Sequence, residues 1–162
     1  MKYRKLFISI TVSFGISNLS ISANAAPCEI SKSIYSDVNN RGFDLIFGAK
    51  LPNSPWFATA IIRHPKLGTL WTFDVTQSNG YGSTALIARA MPNTPPDTSF
   101  VISFFNENLE SDTFIWGRKL DSPKYAFIQG LGSTDYYRRR ARPPFLENLF
   151  LSDTMWTHKR CQ

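Results

Sequence analysis

The stretch Thr69-Leu70-Trp71-Thr72-Phe73-Asp74-Val75-Thr76 puts Trp71, Phe73 and Val75 on one side and Thr72 and Asp74 on the other. A period of two in β-branched and aromatic residues is the pattern of a half-buried strand. Similar runs lie on either side of it. Phe43 to Phe47 is bounded by Gly42 and Gly48, and Trp56 to Arg63 follows the Pro52-Asn53-Ser54-Pro55 loop and stops at His64-Pro65. Asn79-Gly80 is a turn dipeptide, followed by runs at Thr84 to Ala88, Ser99 to Phe105, Thr113 to Trp116 and Tyr125 to Gln129. The runs recur about every 10–15 residues, which predicts one antiparallel, mostly β domain. Sandwich and barrel-like arrangements both satisfy the pattern.

The C-terminal part reads differently. Ser133 or Thr134 is placed to cap a short helix through Tyr136, Tyr137 and Arg138, which Pro143-Pro144 would end. Phe145, Leu146, Leu149 and Phe150 share one face of a second short helix, with Pro144 in its first turn. Asp153 to Cys161 reads as a closing strand. One or two short helices near the C-terminus are therefore expected. Alternation assigns the core to Phe43, Leu45, Phe47, Ile61, Trp71, Phe73, Ile102, Phe104, Phe127 and either Met155 or Trp156.

Residues 1–25 read as a cleaved signal peptide. Lys2, Arg4 and Lys5 form a positive segment, Leu6 to Ile16 is mainly apolar, and Ala23-Asn24-Ala25 is a small-x-small cleavage pattern. The apolar run is too short for an uncleaved anchor, and Ala25-Ala26-Pro27 before Cys28 does not match a lipobox. Nothing beyond residue 25 approaches 18 consecutive apolar residues, so no transmembrane segment is expected in the mature chain. The expectation is a single domain over 26–162, exported to the periplasm or secreted.

Removing three basic residues lowers the net charge from +6 to +3. The remaining charge is uneven: 26–117 carries six basic and eight acidic side chains, 118–162 nine and four. Outside the cytosol, the two cysteines, Cys28 and Cys161, are expected to pair. Closing so long a loop contributes roughly 4–5 kcal/mol in the chain-entropy model.

No motif fixes a reaction or a ligand. His64 and His158 are the only histidines, 94 positions apart, and no Gly-x-Ser-x-Gly elbow is present. The single local metal-ligand combination is His158 with Cys161, set aside because Cys161 is expected in a disulfide, so neither metal nor cofactor is expected. Gly80-Tyr81-Gly82 and Gly130-Leu131-Gly132 are turn glycines rather than phosphate loops. Asp74, Glu107 and Glu110 are candidates for a carboxylate pair, without any distinguishing pattern.

The feature above background is Tyr136-Tyr137-Arg138-Arg139-Arg140-x-Arg142. Clustered guanidiniums repel one another unless anions or acids are near, and arginine suits bidentate contact with carboxylate or phosphate. The tyrosines add flat faces for a ring or a sugar. Tyr136, Tyr137, Arg138, Arg139, Arg140 and Arg142 are thus the expected binding face of a non-enzymatic module. Its partner would be an anionic envelope component or an acidic protein, with nucleic acid the least favoured anion for an exported chain. The alternative is a small envelope hydrolase using His64 or a carboxylate pair.

Overall fold

The computed structural model describes residues 28–79, 82–90, 95, 97–112, 122–140 and 149–162. The expected signal peptide, the predicted Thr113 to Trp116 strand, Arg142 and most of the second predicted helix lie outside them.

Eight antiparallel strands form a closed barrel in simple sequence order. They are β1 (Ser33–Asp37), β2 (Asp44–Gly48), β3 (Ala58–His64), β4 (Gly68–Gln77), β5 (Thr84–Ala88), β6 (Ser99–Phe105), β7 (Tyr125–Ile128) and β8 (Met155–Cys161). Among the described residues the one α-helix, α1 (Leu131–Arg139), lies between β7 and β8. The sheet closes where β8 pairs with β1, from Ser33 opposite Cys161 to Asp37 opposite Trp156. Closure removes both sheet edges and brings residues near Cys28 and Cys161 together. The Cys28–Cys161 disulfide joins them there, with Cα atoms 6.1 Å apart.

An eight-stranded barrel is just wide enough either to be filled by side chains or to hold one small ligand. Here the interior is filled. Tyr35, Phe43, Leu45, Phe47, Ile62, Trp71, Phe73, Val75, Leu86 and Trp156 are all fully or almost fully buried. Their rings interlock: Trp71 stacks on Phe73, and Phe100 meets both edge-on. Such contacts add about 0.5–1.5 kcal/mol per pair beyond area burial.

Eight of the expected core positions are buried, taking Trp156 as the inward member of its pair. Two are not. Ile61 is only half-buried and Ile62 takes its place, while Phe127 is half-buried between inward Ala126 and Ile128. Each error is a one-residue slip, which transfers a strand's whole apolar set to the other face.

Two irregularities in the ladder position everything that follows. Ile62 pairs with Trp71 but Arg63 with Thr69, so Leu70 is an extra residue on β4 and is buried beside Trp71. On β8, Tyr35 pairs with His158 and Ile34 with Arg160, so Lys159 is the extra residue. His158 is buried, Lys159 and Arg160 are both exposed, and Cys161 turns back inward. These are β-bulges, which re-aim side chains and leave a backbone position outside the ladder.

Helix α1 starts earlier than Ser133 or Thr134 would place it. Its N-cap is Gly130, held at φ 72° and without a side-chain capping bond. Asp153 substitutes from outside the helix, its Oδ1 accepting the Gly132 N–H at 2.8 Å. Ser133 and Thr134 instead donate back to the Gly130 carbonyl.

Candidate functional site

The arginine cluster divides into two halves with different surroundings. Asp135 is fully buried at the centre of the inner half. Its carboxylate accepts from Trp71 Nε1 at 3.1 Å, Arg138 Nη2 at 3.1 Å and the Leu151 N–H at 3.0 Å. Arg139 adds bonds from Nε at 2.9 Å and from Nη2 at 2.5 Å. Buried charges persist when paired and fully hydrogen-bonded, and here the spacing of three and four residues along one helix supplies both partners.

Each guanidinium has further duties. Arg138 lies 4.1 Å over the Trp71 ring and donates to the Leu70 carbonyl at 2.9 Å, at the β4 bulge. Arg139 lies 4.7 Å over Phe150 and donates to the Leu149 carbonyl at 2.6 Å. Their side chains are only 9% and 18% exposed. Arg41 holds the same segment from the other side through the Phe150 carbonyl and Ser152 Oγ, while Asp37 fixes the Arg41 and Phe43 N–H groups. Arg138 and Arg139 therefore tie α1 and 149–151 to the barrel.

The outer half faces solvent. Tyr136 is 41% and Tyr137 63% exposed, and their rings meet edge-on. The exposed Arg140 guanidinium lies 4.5 Å over Tyr137 and 5.8 Å over Tyr136 and has no acidic partner among the described residues. Beside this face is a depression of about 360 Å³ lined by Pro95, Ser133, Thr134, Tyr137 and Arg138. Since both hydroxyl hydrogens point to Gly130, Ser133 and Thr134 present oxygen lone pairs rather than donors there.

His64 borders a second depression, of about 410 Å³, with Asp44, Arg63, Pro65, Gly68 and Thr69. Its ring is engaged on both sides. Nε2 contacts the Arg41 carbonyl at 3.0 Å, and Nδ1 accepts the Lys66 N–H at 3.2 Å. Those bonds assign the neutral tautomer with the proton on Nε2 and leave neither nitrogen for a nucleophile. Phe43 packs at 4.9 Å, and Gly42 lies so close that a Cβ there would be 3.1 Å from Nε2. Of the candidate acids, Asp74 forms a two-point pair with Arg89, Glu110 binds Asn106 and Glu107 is exposed, while Asp44, beside His64, pairs with Lys159. The bond to Asp74 raises the Arg89 pKa further.

A third grouping, of which the sequence offered only His158 with Cys161, surrounds the disulfide. His158 Nε2 lies 3.8 Å from Cys28 Sγ, with Ser33 Oγ and Ser122 Oγ each 3.7 Å from the same sulfur. The two serine hydroxyls bond to each other, and Ser122 holds the Cys28 carbonyl from Oγ at 2.5 Å and from N at 2.8 Å. The His158 ring meets Tyr35 edge-on at 5.3 Å, and Tyr35 donates to the Pro123 carbonyl at 2.9 Å. Burial, with Lys124 adding to it, lowers the His158 pKa. Burial, with Asp112 adding to it, raises that of Tyr35.

Among the described residues, no helix is long and apolar enough to cross a membrane. No family model, curated protein or solved structure matches the chain.

Proposed function

We propose that this is an exported, disulfide-closed barrel that binds rather than catalyses, and that its ligand face is Tyr136, Tyr137 and Arg140 on the outer side of α1. The observation that carries this reading is Arg140: a solvent-facing guanidinium, backed by two tyrosine rings and with no acidic partner among the described residues. Arginine held against an aromatic face keeps its planar fork open for a carboxylate or phosphate. The adjoining depression gives room for a neutral part of the ligand beside the charged one. A filled barrel interior favours a ligand met on the outside.

The partner class is an anionic component of the cell envelope, with an acidic protein surface as the neighbouring possibility. Export rests on the Ala23-Asn24-Ala25 pattern, and the disulfide and the absence of a membrane-spanning helix among the described residues are compatible with it. The hydrolase reading has less support, because both nitrogens of His64 are bonded to backbone.

Titration of the mature, isotope-labelled protein with three soluble anions tests the proposal by NMR: a sugar phosphate, an oligogalacturonate and an oligoglutamate peptide. Saturable shifts at Tyr137 and Arg140 with the phosphate or the oligogalacturonate are expected. Shifts with the peptide alone would make the partner an acidic protein. Shifts centred on His64, or none at α1, would refute the assignment.

A further inference from the structure

We propose that the protein, when its disulfide is open, holds a zinc-class divalent cation through Cys28 Sγ, Cys161 Sγ and His158 Nε2. This site is separate from the α1 face and does not depend on it. The three ligand atoms already lie within 4.8 Å of one another. Zinc bonds of about 2.3 Å to sulfur and 2.0–2.1 Å to nitrogen, in a tetrahedron, separate neighbouring ligand atoms by about 3.5–3.8 Å. The 3.8 Å between His158 Nε2 and Cys28 Sγ is close to that separation. The two sulfurs must move apart, and Cα atoms 6.1 Å apart allow this by side-chain rotation.

The bulge at Lys159 is what brings the set together. In a regular strand, residues 158 and 161 point to opposite faces. The extra residue puts His158 and Cys161 on the same side, toward Cys28. The supports of the ligands also do not depend on the disulfide. Ser122 holds the Cys28 backbone, Ser33 opposite Cys161 keeps β8 paired to β1, and the Gln162 N–H bonds the Lys32 carbonyl at 2.7 Å. Tyr35 fixes the histidine ring. Ser33 Oγ and Ser122 Oγ are placed to hydrogen-bond a water in the fourth position, the arrangement of a site with three protein ligands.

Opening the bond takes two electrons and two protons. A trialkylphosphine supplies the electrons and water the protons, giving two thiols and the phosphine oxide. Metal binding then releases the two thiol protons to solvent.

The test uses the mature chain reduced by a trialkylphosphine, with Co²⁺ as a spectroscopic stand-in for zinc. Expected are one Co²⁺ per chain with tetrahedral thiolate-type absorption, no such absorption from the oxidised protein, and binding at least about tenfold weaker in His158→Ala. A second readout needs no variant: zinc should shift the His158 imidazole nitrogens in the reduced wild type and leave those of His64 in place. The proposal is overturned if the reduced chain takes up no cobalt, if it unfolds on reduction, or if His158 is unmoved by zinc.

Discussion

Replacing Asp135 with Asn probes the inner arginine network with almost no change of shape. The amide keeps one oxygen to accept from Trp71 Nε1 or from a guanidinium. Its NH₂ group, however, must face donors, because Arg139 Nε, Arg139 Nη2 and the Leu151 N–H all converge on Oδ2. Two guanidiniums that are 9% and 18% exposed also lose the carboxylate charge they share. Breaking a buried ion pair from one side costs about 3–5 kcal/mol. For a domain of this size that lowers Tm by about 10–20 °C. Urea unfolding of the disulfide-intact protein, followed by tryptophan fluorescence, reads it directly because Trp71 is in the network. A loss below about 1 kcal/mol, with an unchanged m-value, would refute the claim that this carboxylate holds α1 on the barrel.

Three further outcomes follow from the packing and the titrations. Gly132→Ala should destabilise by about 1–3 kcal/mol in chemical unfolding, despite alanine's better helix propensity, because the new Cβ would sit 2.5 Å from the Asp153 backbone nitrogen. Ile62→Ala should cost about 2–5 kcal/mol and Ile61→Ala clearly less, since only Ile62 is fully buried; equal losses would contradict the register. His158 has a folded pKa below its ordinary 6.5, so the unfolded chain binds the extra proton first. Its contribution to stability is complete above about pH 6.5 and is lost as pH falls through the lower folded pKa, so Tm should fall with acidification less steeply in His158→Gln than in wild type.

The β-rich class was legible because alternation in β2, β4 and β6 is strong and turn residues punctuate it. Strand β1 was not, because Ser33-Ile34-Tyr35-Ser36-Asp37 buries a serine and an aspartate, which hydrogen bonds to the Glu29 carbonyl and from the Arg41 and Phe43 N–H groups reconcile with the interior. Barrel closure was equally hidden, since it depends on β1 meeting β8 across most of the chain. At Ile61-Ile62 two identical side chains give no clue to the face. At Ala126-Phe127-Ile128 the largest side chain points outward, so size misleads.

The candidate site was half legible. Asp135 stands three and four residues before Arg138 and Arg139, a spacing that forecasts their pairing on a helix. The burial of that pairing against Trp71 depends on the bulge at Leu70, which no local pattern announces. His158 with Cys161 and the Cys28–Cys161 pairing were both legible, but the bulge at Lys159 that turns all three together was not.

One paired measurement separates Arg140, as a binding residue, from its structural neighbour Arg139. Arg140→Ser and Arg139→Met remove the same charge, one residue apart. Salt-gradient retention of both variants and wild type on an immobilised anionic envelope fraction is measured alongside Tm. Exposed charge acts through salt-sensitive attraction, whereas a buried pair acts through stability. Arg140→Ser is expected to elute at distinctly lower salt with Tm unchanged, while Arg139→Met lowers Tm sharply. Unaltered retention for Arg140→Ser would contradict it, and the α1 face would then be only a solvated surface.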